Sequence, residues 1–206
     1  MTKTRVIIPF AALALAIAGV GIHRAVRGAP DDGVRFATQG RTEIAFPLPP
    51  FTLTDQDGKS ITREDLRGRV TIVDFIFTKC PSICPRLTQK MSALVRETKA
   101  EGDAIRFISI SVDPDNDKPP VLRAYGEKYG ADFTRWAFLT GDQKAMEETV
   151  IKGFKVAYQK DEAGSIAHAE RFVLVDQTTT IRAYFDADDA AQRELVAAAR
   201  KLVAAQ

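Results

Sequence analysis

The run Val70 to Phe77 constrains the fold more than any other stretch of the chain. Its dense apolar and β-branched character reads as a strand buried on both faces, and such a strand needs helices over both sides of its sheet. The flanking patterns supply them. Pro85 suits the first turn of a helix, and Leu87, Met91, Leu94 and Val95 repeat on one helical face. Ile105 to Val112 is a second buried strand. A helix follows Pro119-Pro120, with Val121, Leu122, Tyr125 and Tyr129 expected inside. Trp136 to Leu139 is a short strand, and Asp142 can cap a helix reaching Lys152 with Met146, Val150 and Ile151 inward. Phe172 to Val175 and Ile181 to Phe185 read as strands around a Thr-rich turn, and Asp188 caps a last helix carrying Leu195, Val196 and Leu202. Ahead of all these, Phe51-Thr52-Leu53-Thr54 and Ser60-Ile61-Thr62 flank Asp57-Gly58, a β-hairpin signal. The fold class is α/β: a central mixed sheet flanked by helices, with an N-terminal hairpin and ligand chemistry at strand ends.

The 206 residues divide into three stretches. Residues 1–27 contain an apolar run from Val6 to Ile22 flanked by Lys3, Arg5, His23, Arg24 and Arg27. At roughly 1.5 Å per residue the run spans about 26 Å, close to a hydrocarbon core of about 30 Å, and Arg24 can snorkel. It reads as a single transmembrane anchor or, alternatively, a cleaved signal sequence; Ala16-Ile17-Ala18 resembles a cleavage site. Either reading sends the remainder across a membrane. Residues 28–45 are polar and Gly-containing, a tether. Residues 46–206 have globular composition and suffice for one domain with a real core. The formal net charge of +2 is spread over interleaved acids and bases, which speaks against a nucleic-acid partner.

Chemistry is concentrated in few residues. Cys80 and Cys84 are the only cysteines, in Phe77-Thr78-Lys79-Cys80-Pro81-Ser82-Ile83-Cys84-Pro85, where the strand pattern stops and the helical pattern starts. Amides and dipole at a helix N-terminus favour a thiolate, and Lys79 and Arg86 add positive charge. Two thiolates four apart can face one metal ion or close a disulfide. His168 is the one histidine of the domain, and two sulfurs with one imidazole form a soft ligand set suited to copper. Met91 and Met146 fall on apolar helix faces and read as core. Asp113, Asp115 and Asp117 alternate as in a calcium loop. Lys118 and Ala124 stand where that loop needs glycine and glutamate, which excludes it; the acids read as a strand-end turn or helix start.

The cysteine segment, together with Ser111-Val112-Asp113-Pro114, Asp117 and Pro119, and His168 ahead of Phe172-Val173-Leu174-Val175-Asp176, resembles the Sco/SenC family of copper chaperones for cytochrome c oxidase assembly. The resemblance runs from about Phe46 to Asp186. It implies a thioredoxin-like fold, copper as Cu(I) and Cu(II) held by Cys80, Cys84 and His168, and delivery of copper or reducing equivalents to the binuclear copper site of the oxidase. Implied partners are the copper-site subunit of a terminal oxidase or another cuproprotein, the membrane through the N-terminal segment, and a thioredoxin-like reductant. The implied location is the periplasmic, non-cytoplasmic side, membrane-anchored or exported after cleavage. The chain departs from the family in carrying Ser82 between the cysteines and Ala167 and Ala169 beside His168. Alanine cannot orient the imidazole, so Glu170 is the candidate for that task. The reading is a metallochaperone rather than an enzyme, with accessory thiol–disulfide reductase activity. The rival is a membrane-tethered thiol–disulfide oxidoreductase or redox sensor. Against it, the cysteine spacing is one longer than C-x-x-C, and no proline follows Pro120 to supply a cis-proline loop.

Overall fold

The computed structural model describes residues 35–36, 41–160, 166–168 and 170–205. The expected anchor or signal sequence and most of the expected tether lie outside these residues. Among the described residues, the strands are β1 (Arg35–Phe36), β2 (Arg41–Pro47), β3 (Thr52–Asp55), β4 (Ser60–Thr62), β5 (Val70–Ile76), β6 (Ile105–Ser111), β7 (Trp136–Thr140), β8 (Tyr158–Lys160), β9 (Ile166–His168), β10 (Arg171–Val175) and β11 (Thr180–Asp186). The helices are α1 (Ile83–Glu97), α2 (Pro119–Lys128), α3 (Gln143–Met146) and α4 (Asp189–Ala204).

Nine strands form one mixed sheet in the order β1-β2-β11-β10-β5-β6-β7-β3-β4. Among the described residues only β5–β6 and β6–β7 pair in parallel, so the parallel core lies inside an antiparallel frame. All seven residues of β5 are buried, as its composition requires. Helices α1 and α4 pack against β5, and α2 against β7. Ion pairs Lys90–Asp189 and Arg200–Glu101 join α4 to α1 and the turn that follows it.

Local chemistry explains the junctions. The β3–β4 hairpin turns at Gly58 (φ 80°), and Asp55 Oδ1 accepts from the amides of Asp57 (2.9 Å) and Lys59 (2.8 Å). Asp188 caps α4 by accepting from Ala190 N and Ala191 N, both at 2.8 Å. In the β10–β11 turn, Asp176 Oδ1 accepts from Thr178 N and Thr180 N. Met91 and Met146 are fully buried, as their helix faces indicate.

Three details differ from the pattern reading. Val121 is 41% exposed, because the inner stripe of α2 is Leu122, Tyr125 and Gly126, and Val121 falls at its edge. The helix capped by Asp142 is α-helical only through Met146, and Glu147–Gly153 is π-helical. The wider turn shifts the inward face away from a 3.6-residue period, and Ile151 is left 38% exposed. Strand β2 begins at Arg41, ahead of the composition change at Phe46, and buries Ile44.

Candidate metal and thiol centre

Strands β5 and β6 run parallel, so the loops leaving their C-terminal ends are neighbours, where sites in such sheets form. The first loop carries Cys80 into the start of α1, and the second spans 112–118. The amide of Cys80 closes a tight turn onto Phe77 O at 3.2 Å. The amide of Cys84, in the first turn of α1, points at Cys80 Sγ at 3.3 Å. The two cysteines are not joined in a disulfide, and both are buried, Cys80 at 9% exposure and Cys84 at 0%.

The two sulfurs differ in ionisation. Burial opposes a charge on Cys80, but the N–H groups of Cys84, Ser82 and Ile83, with the Cys84 thiol, outweigh it and hold Cys80 below the ordinary thiol value. Cys84 is pushed far up, first by burial and then by Cys80 and Asp74, with the Phe77 amide offsetting only part. The site therefore holds one poised thiol at its surface and one reluctant thiol beneath.

A polar group of buried side chains lies behind Cys84. Thr88 Oγ1 donates to Cys84 O at 2.8 Å and sits 2.9 Å from the Tyr125 hydroxyl. Asp74, on β5, is fully buried, and neither carboxyl oxygen makes a hydrogen bond of normal geometry. Burial raises its carboxyl to about 7; the Ser109 hydroxyl, its register partner on β6, and its own backbone amide offset part of this. In front of the site, Asp117 is fully buried and accepts from Thr78 N (3.0 Å), Thr78 Oγ1 (2.5 Å) and Ser111 Oγ (2.6 Å). Lys79, on the same loop, contacts Asn116.

His168 ends β9, which pairs antiparallel with β8 in a separate two-stranded sheet, with His168 opposite Tyr158. Its side chain lies outside the described residues. The chain just after it is located: Glu170 lies 3.8 Å from Arg86, so the entry to β10 approaches the first turn of α1. The partner observed for Glu170 is thus the Arg86 guanidinium. Among the described residues, no group of three His, Cys, Asp or Glu side chains converges in metal-binding geometry.

The family model described as SCO1/SenC matches residues 40–204. The chain belongs to the SCO1/SenC family. An SCO1 protein homolog of Bacillus subtilis (strain 168) is 42% identical to it over 139 residues, 66% of this chain and 72% of that protein. BsSco, a member of the Sco family of cytochrome c oxidase assembly proteins in which a disulfide switch was identified, matches with TM-score 0.72 at 34% identity, covering 80% of this chain and 97% of that one. Bradyrhizobium japonicum ScoI with copper bound matches with TM-score 0.66 at 27% identity, covering 76% of this chain and 99% of that one. The mixed sheet and its helices match these Sco thioredoxin-like structures.

Sequence reading located the two cysteines but not what surrounds them. Asp74 hides inside an apolar strand, and the lack of a well-formed hydrogen bond to its carboxyl is a matter of packing. Asp117 was legible only as one acid of a turn, because its partners Thr78 and Ser111 reach it through the β5–β6 pairing.

Proposed function

We propose that this SCO1/SenC protein is a copper metallochaperone that binds copper through Cys80, Cys84 and His168 and delivers it, or reducing equivalents, to the binuclear copper site of a terminal oxidase. The observation that carries the reading is the Cys80 Sγ to Cys84 N approach of 3.3 Å at a helix N-terminus, with Glu170 against Arg86. Two sulfurs brought together at one helix N-terminus, one from the loop and one from the first turn, suit a soft cation, and the Glu170–Arg86 ion pair holds the chain after His168 near that turn. The copper-bound relative and the oxidase-assembly relative support the choice of cargo and destination. Cys80 and Cys84 must lose their protons to bind, and the family's cargo supplies the charge that offsets burial at Cys84. The domain acts on the non-cytoplasmic side of a membrane, brought there by residues 1–27.

A second reading is favoured by the unequal thiols. A poised outer Cys80 and a buried inner Cys84 form an attacking and resolving pair for thiol–disulfide exchange. The two readings are sequential, since a disulfide between these residues cannot hold copper and must first be reduced.

The test is copper titration of the reduced protein. One copper per chain with a thiolate-to-Cu(II) charge-transfer band is expected, and Cys80→Ser and Cys84→Ser each abolish tight Cu(I) binding. Full-affinity binding by either variant sinks the site.

A further inference from the structure

We propose that Asp117 is a positioning residue for the thiol pair: by clamping the loop that precedes Cys80, it holds Cys80 Sγ beside Cys84. The inference rests on the thiol-centre reading above, and extends it to a residue outside the ligand set.

The geometry is specific. Cys84 is fixed by α1, whereas Cys80 lies before the helix, on a short loop. That loop is held through Thr78 by two bonds to Asp117, one from the backbone amide and one from the hydroxyl. The same carboxylate accepts from Ser111 Oγ at the end of β6, so its own position is set by the sheet. Ser111 Oγ also accepts from Asp113 N at 3.1 Å, and Asp117 N donates to Asp113 O at 2.9 Å, which closes the second loop on itself. The Asn116–Lys79 contact adds a second link between the loops. A carboxylate at 0% exposure persists only where donors replace its hydration, and three short bonds do so.

The consequence follows from effective concentration. Two groups held at a fixed separation react with each other, or bind one ion together, far more readily than the same groups on a loose loop. Freeing the 77–79 loop therefore lowers both disulfide formation between Cys80 and Cys84 and joint copper binding. A side chain that only stabilised the fold would move neither.

Substitution separates charge from tether. Asp117→Asn keeps an oxygen for Thr78 N and Ser111 Oγ, and its amide can donate to the Thr78 hydroxyl, which rotates to accept. Asp117→Ala removes every bond. Thr78→Val removes the hydroxyl with little change of shape, and Thr78→Ser restores it.

The experiment equilibrates the copper-free protein with glutathione and glutathione disulfide. The dithiol gives up two electrons and two protons, the protein disulfide forms, and two glutathione molecules are released. Cu(II) affinity and charge-transfer spectrum are measured on the same variants. We expect the disulfide equilibrium constant and the Cu(II) affinity to fall about tenfold or more in Asp117→Ala. A smaller fall in the same direction is expected in Thr78→Val, with values within about twofold of the parent in Asp117→Asn and Thr78→Ser. If Asp117→Ala does not fold, the Thr78→Val and Thr78→Ser pair decides. Folded variants with lower stability but an unchanged glutathione equilibrium overturn the proposal. A parent protein that binds no copper while the glutathione equilibrium still responds overturns the copper reading and leaves the positioning role standing.

Discussion

Replacing Asp74 by asparagine should abolish the pH dependence of stability that this residue imposes. The carboxyl is fully buried on β5, and its value is raised from 3.8 to about 7, chiefly by burial. Because the folded-state value is raised, the folded protein keeps this proton after the unfolded chain has lost it. The stability it contributes is present below about pH 4, is lost progressively as pH rises toward 7, and levels off above that. A shift of about three units corresponds to about 4 kcal/mol at roughly 1.36 kcal/mol per unit. Asparagine has nearly the same shape and no charge. Its amide occupies the same buried place without titrating, so whatever its burial costs is the same at every pH. The assay is urea unfolding of parent and variant from pH 4 to pH 8.5, taking the difference at each pH. Relative to the parent, the variant is expected to gain about 4 kcal/mol between pH 4 and pH 8. A difference that stays flat across this range refutes a buried Asp74 carboxyl that keeps its proton in the folded protein.

Two further outcomes follow from the same surroundings. Iodoacetamide at pH 7.5 should alkylate Cys80 well before Cys84, because Cys80 is the more exposed thiol and the one whose thiolate is favoured; equal rates, read by peptide mass mapping, contradict the asymmetry. Thr88→Val removes the hydroxyl that bridges Cys84 O and the Tyr125 hydroxyl, and should cost about 1–3 kcal/mol in unfolding free energy, with an unchanged value refuting the bridge.

Much of this fold is written in local pattern. The β5 run, the Asp57-Gly58 hairpin, the Asp142 and Asp188 caps and the strands around Asp176 each depend on neighbours within a few residues, and each stands where its pattern places it. Strand β2 is less legible because it buries mainly Ile44 within an otherwise polar stretch, so composition alone reads as tether. The π-helical turn after Met146 is hidden for a different reason: its residues have the apolar spacing of an α-helix, and only the hydrogen-bond pattern separates the two. At the site, the cysteines are visible because their chemistry is rare in the sequence. Asp117 and Thr78, 39 positions apart, meet only because β5 and β6 are parallel neighbours, and no local rule pairs them. Glu170 pairs with Arg86, a long-range ion pair that spacing cannot show, while its expected role toward the imidazole falls on a His168 side chain outside the described residues.

The central claim is a copper site made by two sulfurs and one imidazole, and the Cu(II) spectrum of His168→Ala tests it most directly. Cu(II) favours nitrogen ligands and higher coordination, whereas two thiolates nearly suffice for Cu(I). The account predicts that His168→Ala loses or strongly alters the Cu(II) charge-transfer spectrum at one copper per chain while retaining much of its Cu(I) binding. A Cu(II) spectrum unchanged from the parent, together with slowed thiol–disulfide exchange, would contradict it and make the centre an oxidoreductase pair.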